Sequence, residues 1–275
     1  MGRLPDFLII GVQKAGTSWL HRKLRSHPEI FLPSIKDQAF FCWREGPNVL
    51  TLEEYRESFT SHGDAHALGE ATAAYFWTDS GSRWDVKPEG YCADLPKAVL
   101  DILGEDTRLI LSLRNPVDRA VSAYLHHIAL GDLDPGVDLL DAGDFGGLVD
   151  IGFYAAHLRN WLRYFPLQQF LVLSYEQDIA KQPWETLRRT FDFLGVNPDW
   201  QVEEPDEYVF EGRARVWLDD EVWVPLKEYP SAPVDRQRQI SGHRYCRRVD
   251  RPTIKKLREI YAQDQAELQE LILEN

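Results

Sequence analysis

Residues 6–20 read Asp-Phe-Leu-Ile-Ile-Gly-Val-Gln-Lys-Ala-Gly-Thr-Ser-Trp-Leu, and their pattern decides the fold. Phe7 to Ile10 is an unbroken apolar run, the pattern of a strand buried on both faces. Gly11 and Gly16 bracket a tight turn, and Thr17 and Ser18 stand where a helix would begin. A strand, a glycine loop and a helix N-terminus form a cradle for an anion, because free N–H groups and the helix dipole converge there. The spacing approaches the phosphate loop Gly-x4-Gly-Lys-Ser/Thr, with one departure. Thr17 fills the lysine slot, and the lysine, Lys14, lies inside the loop. Ordinary strand-to-helix turns also use glycine, so the rest of the chain has to discriminate.

Working outward, apolar periodicity and breaker residues predict a helix over Thr17–Arg25, a short strand near residues 30–32 and a helix over Leu52–Phe59. A strand over Ala67–Ala71 follows, carrying Glu70, then a helix over Leu95–Leu103 and a buried strand over Arg108–Leu113. A helix from Val117 to about Leu130 ends at Gly131, and 132–147 is a Gly/Asp-rich excursion. Tyr154–Phe165 reads as helix, Phe170–Ser174 as strand, and Trp184–Leu194 as a helix closed by Gly195. Strands alternating with helices imply an α/β fold, three layers around a central, mostly parallel sheet. With no repeat and no linker, residues 1–275 are expected to form one domain, with 199–234 as an acidic lid or insertion.

The chain is 44% hydrophobic and carries nine Trp, enough for a substantial core. No apolar run approaches the roughly 20 residues that cross a bilayer. The first strand begins by residue 7, which leaves no room for a leader, and Cys42, Cys92 and Cys246 are scattered without metal spacing. Both features set the expectation of a cytoplasmic protein. A net charge of −13 argues against nucleic acid or an anionic membrane as partner. That charge is uneven. Residues 199–228 hold ten acids against three bases, whereas 235–258 hold nine bases against two acids, as a local anion site or a solvated helix face.

The second buried strand separates the chemistries that use such a loop. A nucleoside triphosphatase places an acid at the end of this strand to hold Mg²⁺. Here the strand runs into Arg114, with Ser122 two turns into the next helix, a pair suited to phosphate and not to metal. Two phosphate seats and no expected metal describe a nucleotide with phosphates at both ends of its ribose.

These residues resemble the sulfotransferases that use 3′-phosphoadenosine 5′-phosphosulfate (PAPS). Residues 5–18 are similar to their 5′-phosphosulfate loop, and Leu113-Arg114-Asn115-Pro116 with Ser122 to their 3′-phosphate motif. Asp37-Gln38-Ala39-Phe40-Phe41, residues 69–76, Asn160 to Pro166 and Phe191 to Gly195 resemble the heparan-sulfate-type branch and its bacterial relatives. The resemblance implies that Lys14, Ala15, Gly16, Thr17 and Ser18 hold the 5′ end of PAPS and of its product, adenosine 3′,5′-bisphosphate (PAP). It implies Arg114 and Ser122 for the 3′-phosphate, and Gly242, His243 and Arg244 for a late loop over the cofactor. An arginine at 244 could equally lie on the surface. Lys14 would also act on the leaving oxygen. A P-loop kinase or ATPase, or an inactive nucleotide-binding relative, is the alternative.

The acceptor needs a base. By resemblance it falls on Asp37, one methylene shorter than the family's glutamate, with Glu70 as the other candidate. The histidine of many relatives is Ala39, and the lysine of the animal enzymes is Ala71. Lys36, beside Asp37, would lower its pKa or simply be solvated. His126, His127 and His157 are spare candidates. Trp43, Tyr75, Trp77, Tyr124 and Tyr154 either line the acceptor side or belong to the core. The acceptor is expected to be a small molecule or a saccharide, neutral or cationic before polyanionic; the sequence leaves the oligomeric state open.

Overall fold

The computed structural model describes residues 3–43, 46, 49–134, 137–206 and 249–273. Five strands, β1 (Phe7–Gly11), β2 (Ile30–Phe31), β3 (Ala67–Ala71), β4 (Arg108–Leu113) and β5 (Phe170–Ser174), form one sheet in the order β2-β3-β1-β4-β5. Every neighbouring pair is parallel, with Phe7 opposite both Gly69 and Arg108. β1 is therefore central, and the chain leaves it first toward β2 and later toward β4. The carboxyl ends of β3, β1 and β4 then lie side by side at the point where the strand order reverses, the usual seat of ligands in open parallel sheets.

All five residues of β1 are buried, as its apolar run predicts. Leu8 and Ile10 join one cluster with Val99, Leu158 and Trp161, while Phe7 and Ile9 join another with Trp19, Leu20, Leu187 and Phe191. Successive strand side chains point to opposite faces, so this alternation sandwiches the sheet. On the first face lie α3 (Leu95–Leu103) and α5 (Tyr154–Leu162), and on the second lie α1 (Thr17–Leu24) and α6 (Pro183–Leu194). The short α2 (Leu52–Glu57) opens with a capping box between Thr51 and Glu54. α4 (Pro116–Leu130) starts with the Asn115 side chain accepting from the amides of Val117 and Asp118, and ends at Gly131 in the left-handed conformation.

Two elements differ from expectation. α5 stops at Leu162, where Tyr164 and Phe165 bond back to the Trp161 carbonyl ahead of Pro166. The basic run read as an anion site or a solvated helix face overlaps the start of α7 (Arg251–Leu273), a long helix that buries Ile254, Leu257 and Tyr261 against α4. The carboxylate of Asp264 on α7 accepts from the amides of Ala155 and Ala156 at 3.1 Å each, capping α5 from another part of the chain.

Candidate active site

The loop after β1 is built by close approach. Gly16, at the head of α1, has φ +88°, and a Cβ there would lie 2.8 Å from Ile179 Cδ1 and 3.2 Å from Tyr175 Cδ2. Only glycine combines that backbone with that neighbour. No side chain caps α1, which gives its N-terminus the form of a helix end able to receive an anion. From β4, the Ser112 hydroxyl donates to the Ala15 carbonyl and the Val12 amide donates to the Ser112 carbonyl at 2.8 Å.

Arg114 ends β4 beside this loop. Its Nη1 donates to the Lys14 carbonyl at 3.1 Å, and its guanidinium lies 4.8 Å from the centre of the Tyr175 ring. Its Nε is buried without a hydrogen-bond partner among the described residues. Lys14 itself has φ +70°. Burial first, then the charges of Arg114 and Lys36, lower its pKa to about 8. Ser122 is half-buried on α4, two turns beyond Arg114.

The third side of the site is the loop after β2, anchored to the end of β3. Asp37 and Ala39 both have left-handed backbones, with φ +60° and +56°. Three hydrogen bonds hold them: Asp37 N to Ala71 O at 2.8 Å, Ala73 N to Asp37 Oδ1 at 3.0 Å, and Ala39 N to Thr72 Oγ1 at 3.1 Å. Lys36 Nζ chelates Asp37, at 2.8 Å from Oδ1 and 2.7 Å from Oδ2. Strain of this kind, overdetermined by its surroundings, is characteristic of functional loops.

The Thr72 hydroxyl in turn donates to Glu70 Oε1 at 2.5 Å. Glu70 is 1% exposed, and its Oε2 has no hydrogen-bond partner among the described residues. Burial lifts its carboxyl to about 7, with Asp37's charge adding to the rise and Thr72 opposing it. The two carboxyls are thus distinct: Asp37 stands at the mouth of the site, while Glu70 lies beneath it and supports the Asp37 loop through Thr72.

A sulfotransferase domain model matches residues 4–211. The chain belongs to the sulfotransferase family. Over 205 residues it is 35% identical to mouse heparan sulfate glucosamine 3-O-sulfotransferase 6, covering 70% of this chain and 53% of that one. Over 214 residues it is 31% identical to mouse bifunctional heparan sulfate N-deacetylase/N-sulfotransferase 2, covering 71% of this chain and 22% of that one. The chain thus spans about half the length of the first of these relatives, or less. A sulfotransferase from Alicyclobacillus acidocaldarius superposes with a TM-score of 0.61 at 26% identity, over 77% of this chain and 88% of that one.

In this member of the family the sheet end gathers Lys14, Arg114, Asp37 and Glu70 from four separate stretches of sequence. Most of the aromatic candidates are packed into the interior. Tyr75, Trp77, Tyr124 and Tyr154 are buried, and three of them spend their polar atoms inside. Trp77 Nε1 donates to Asp150 Oδ2 at 2.7 Å, Tyr124 OH to Val137 O at 2.6 Å and Tyr154 OH to Arg114 O at 2.9 Å. Trp43 is half-buried against Tyr91. His157 is buried against Asp150, and His127 Nδ1 lies 3.0 Å from Asp132 Oδ2. Gly242, His243 and Arg244, and residues 207–234 of the acidic segment, lie outside the described residues. Sequence reading passed over Tyr175 and Ser112. Tyr175 directly follows β5, and Ser112 sits one residue from the end of β4. Position at a strand's carboxyl end was the available signal.

Proposed function

We propose that this sulfotransferase draws its sulfuryl group from PAPS and passes it to a hydroxyl or amine of a neutral or cationic small molecule or saccharide. The carrying observation is the Arg114–Lys14 contact, an arginine at the strand end gripping the phosphate loop where a triphosphatase would place a metal-binding acid. The residues present fit such a donor. The glycine cradle at Gly16 admits a close anion, the Arg114 Nε has a donor to spare, and Lys14 makes no ion pair among the described residues.

When bound, the donor supplies the sulfuryl group, and its 5′-phosphate keeps the electron pair of the broken sulfur–oxygen bond. Lys14 neutralises charge growing on that leaving oxygen, a preorganised electrostatic effect. The amides at Gly16, Thr17 and Ser18 bind the 5′-phosphate, and Arg114 with Ser122 the 3′-phosphate. Asp37 takes the acceptor's proton as the new bond to sulfur forms, because its carboxylate reaches solvent while Glu70 is enclosed. Glu70 holds the loop that carries Asp37.

The acceptor's charge class is read from the chain's own charges. A surplus of thirteen negative charges, with seven more acids than bases over 199–228, repels a polyanion and attracts a cation. The experiment is a panel of neutral, cationic and heparan-type acceptors incubated with labelled PAPS, read by transfer of label. Transfer to neutral or cationic compounds supports the reading. Heparan oligosaccharides as the best substrates overturn its acceptor half, and transfer to none overturns its catalytic half.

A further inference from the structure

Lys36 is placed unlike an ordinary surface lysine. Its side chain is only 16% exposed, so the stem is fixed and the ammonium is delivered to the sheet end. There it chelates both oxygens of Asp37, whose side chain is 54% exposed. Asp37 is its one hydrogen-bonding partner among the described residues. The Lys36 charge also reaches the site's other ionisable groups, since it helps depress Lys14 and acts against the upward shift of Glu70.

This arrangement poses a problem for the proposed chemistry. Asp37 Oδ1 is shared between Lys36 and the Ala73 amide, and Oδ2 is taken by Lys36, so both oxygens are engaged before an acceptor arrives. Only the Asp37 side of the pair is half-exposed, so separating it leaves that carboxylate in contact with water. An arriving anionic sulfuryl group spreads its charge over several oxygens, and Lys14 covers only the bridging one. Lys36, whose charge already reaches Lys14, is the cation left to meet the others.

We propose that Lys36 is a catalytic residue that exchanges Asp37 for the sulfuryl oxygens of the bound donor, and that this exchange frees Asp37 Oδ2 to accept the acceptor's proton. Donor binding and activation of the base are thereby one event. The pair rests closed, with Lys36 shielding Asp37 and Asp37 balancing the positive charge around Lys14. The inference rests on the PAPS reading given above and deepens it.

The test is binding by calorimetry, without acceptor, of PAPS and of PAP, which lacks the sulfuryl group. In wild type, PAP binding tighter than AMP establishes the donor reading independently; its failure sinks that reading and not this one alone. Lys36→Gln is expected to weaken PAPS about tenfold or more while changing PAP less than about twofold. Asp37→Asn is expected to move the ratio the opposite way, tightening PAPS relative to PAP by releasing Lys36. Lys36→Arg, which keeps the charge, should retain most of the preference and serves if Lys36→Gln folds poorly. Equal changes for PAPS and PAP in Lys36→Gln, or no change in either, would overturn the exchange and leave Lys36 as a support for Asp37.

Discussion

The Nη1 of Arg114 donates to the carbonyl oxygen of Lys14 at 3.1 Å, so the end of β4 holds the phosphate loop by its own backbone. The residue it grips has φ +70°, a conformation that a lysine adopts only under constraint. One arginine thereby fixes the loop that carries Lys14, and contributes a charge of its own beside it.

In the proposed mechanism Lys14 acts in its charged form, and burial together with Arg114 and Lys36 has lowered its pKa to about 8. Raising the pH through that value removes the charge. The kcat/KM of the free enzyme is therefore expected to fall on the alkaline side with a midpoint near it. Lys14→Arg should carry this limb to higher pH, because the guanidinium stays charged. An unmoved limb assigns it to another group.

Asp37→Asn is expected to lower kcat by at least about 100-fold with PAP affinity unchanged, the usual scale for loss of a general base. Glu70→Gln should cost turnover less. Glu70 also has a signature in stability. Its folded pKa of about 7 exceeds the ordinary value of 4.5, so the folded protein binds more protons than the unfolded chain. The stability it contributes is present below 4.5 and is lost as pH rises toward about 7. Thermal unfolding across that window should shift in favour of Glu70→Gln as the pH increases. A greater kcat loss in Glu70→Gln than in Asp37→Asn reassigns the base.

Gly16→Ala combines an unfavourable left-handed backbone with a Cβ 2.8 Å from Ile179 Cδ1. A cost of about 1–3 kcal/mol is expected, lowering the thermal midpoint and weakening PAP at the same time. A fully stable variant with normal PAP affinity would show that the cradle tolerates a side chain.

Much of this was readable in advance for local reasons. The apolar run of β1 could only be a doubly buried strand, and Arg114 followed a second such run at the expected spacing. What the sequence withheld depended on distant partners. Asp264 caps α5 across 109 residues, and no local pattern couples the two. Tyr124 and Tyr154 look like ligand-facing aromatics until the distant carbonyls of Val137 and Arg114 take their hydroxyls. Glu70 has the same strand-end position whether it points outward or, as found, beneath the Asp37 loop. The Lys36–Asp37 chelate needs the left-handed backbone at Asp37, which a non-glycine residue does not advertise.

The acceptor reading makes a claim about salt. For a cationic acceptor drawn in by the acidic surface, raising ionic strength should raise KM by screening the attraction, with kcat little changed. A KM that falls with salt would mean the site repels cations, and the basic run over 235–258 would then be the better candidate for acceptor contact.

The account turns on a donor with a phosphate at each end of its ribose, and calorimetric titration of the wild-type protein with PAP and with AMP tests this most directly. In the proposed reading Arg114 and Ser122 meet the nucleotide only when the 3′-phosphate is present, and a charge-assisted contact of this kind corresponds to roughly 10- to 150-fold in affinity. PAP is expected to bind tighter than AMP by that margin, and the margin should collapse in Arg114→Ala. Equal affinities for the two nucleotides in the wild-type protein would contradict the account.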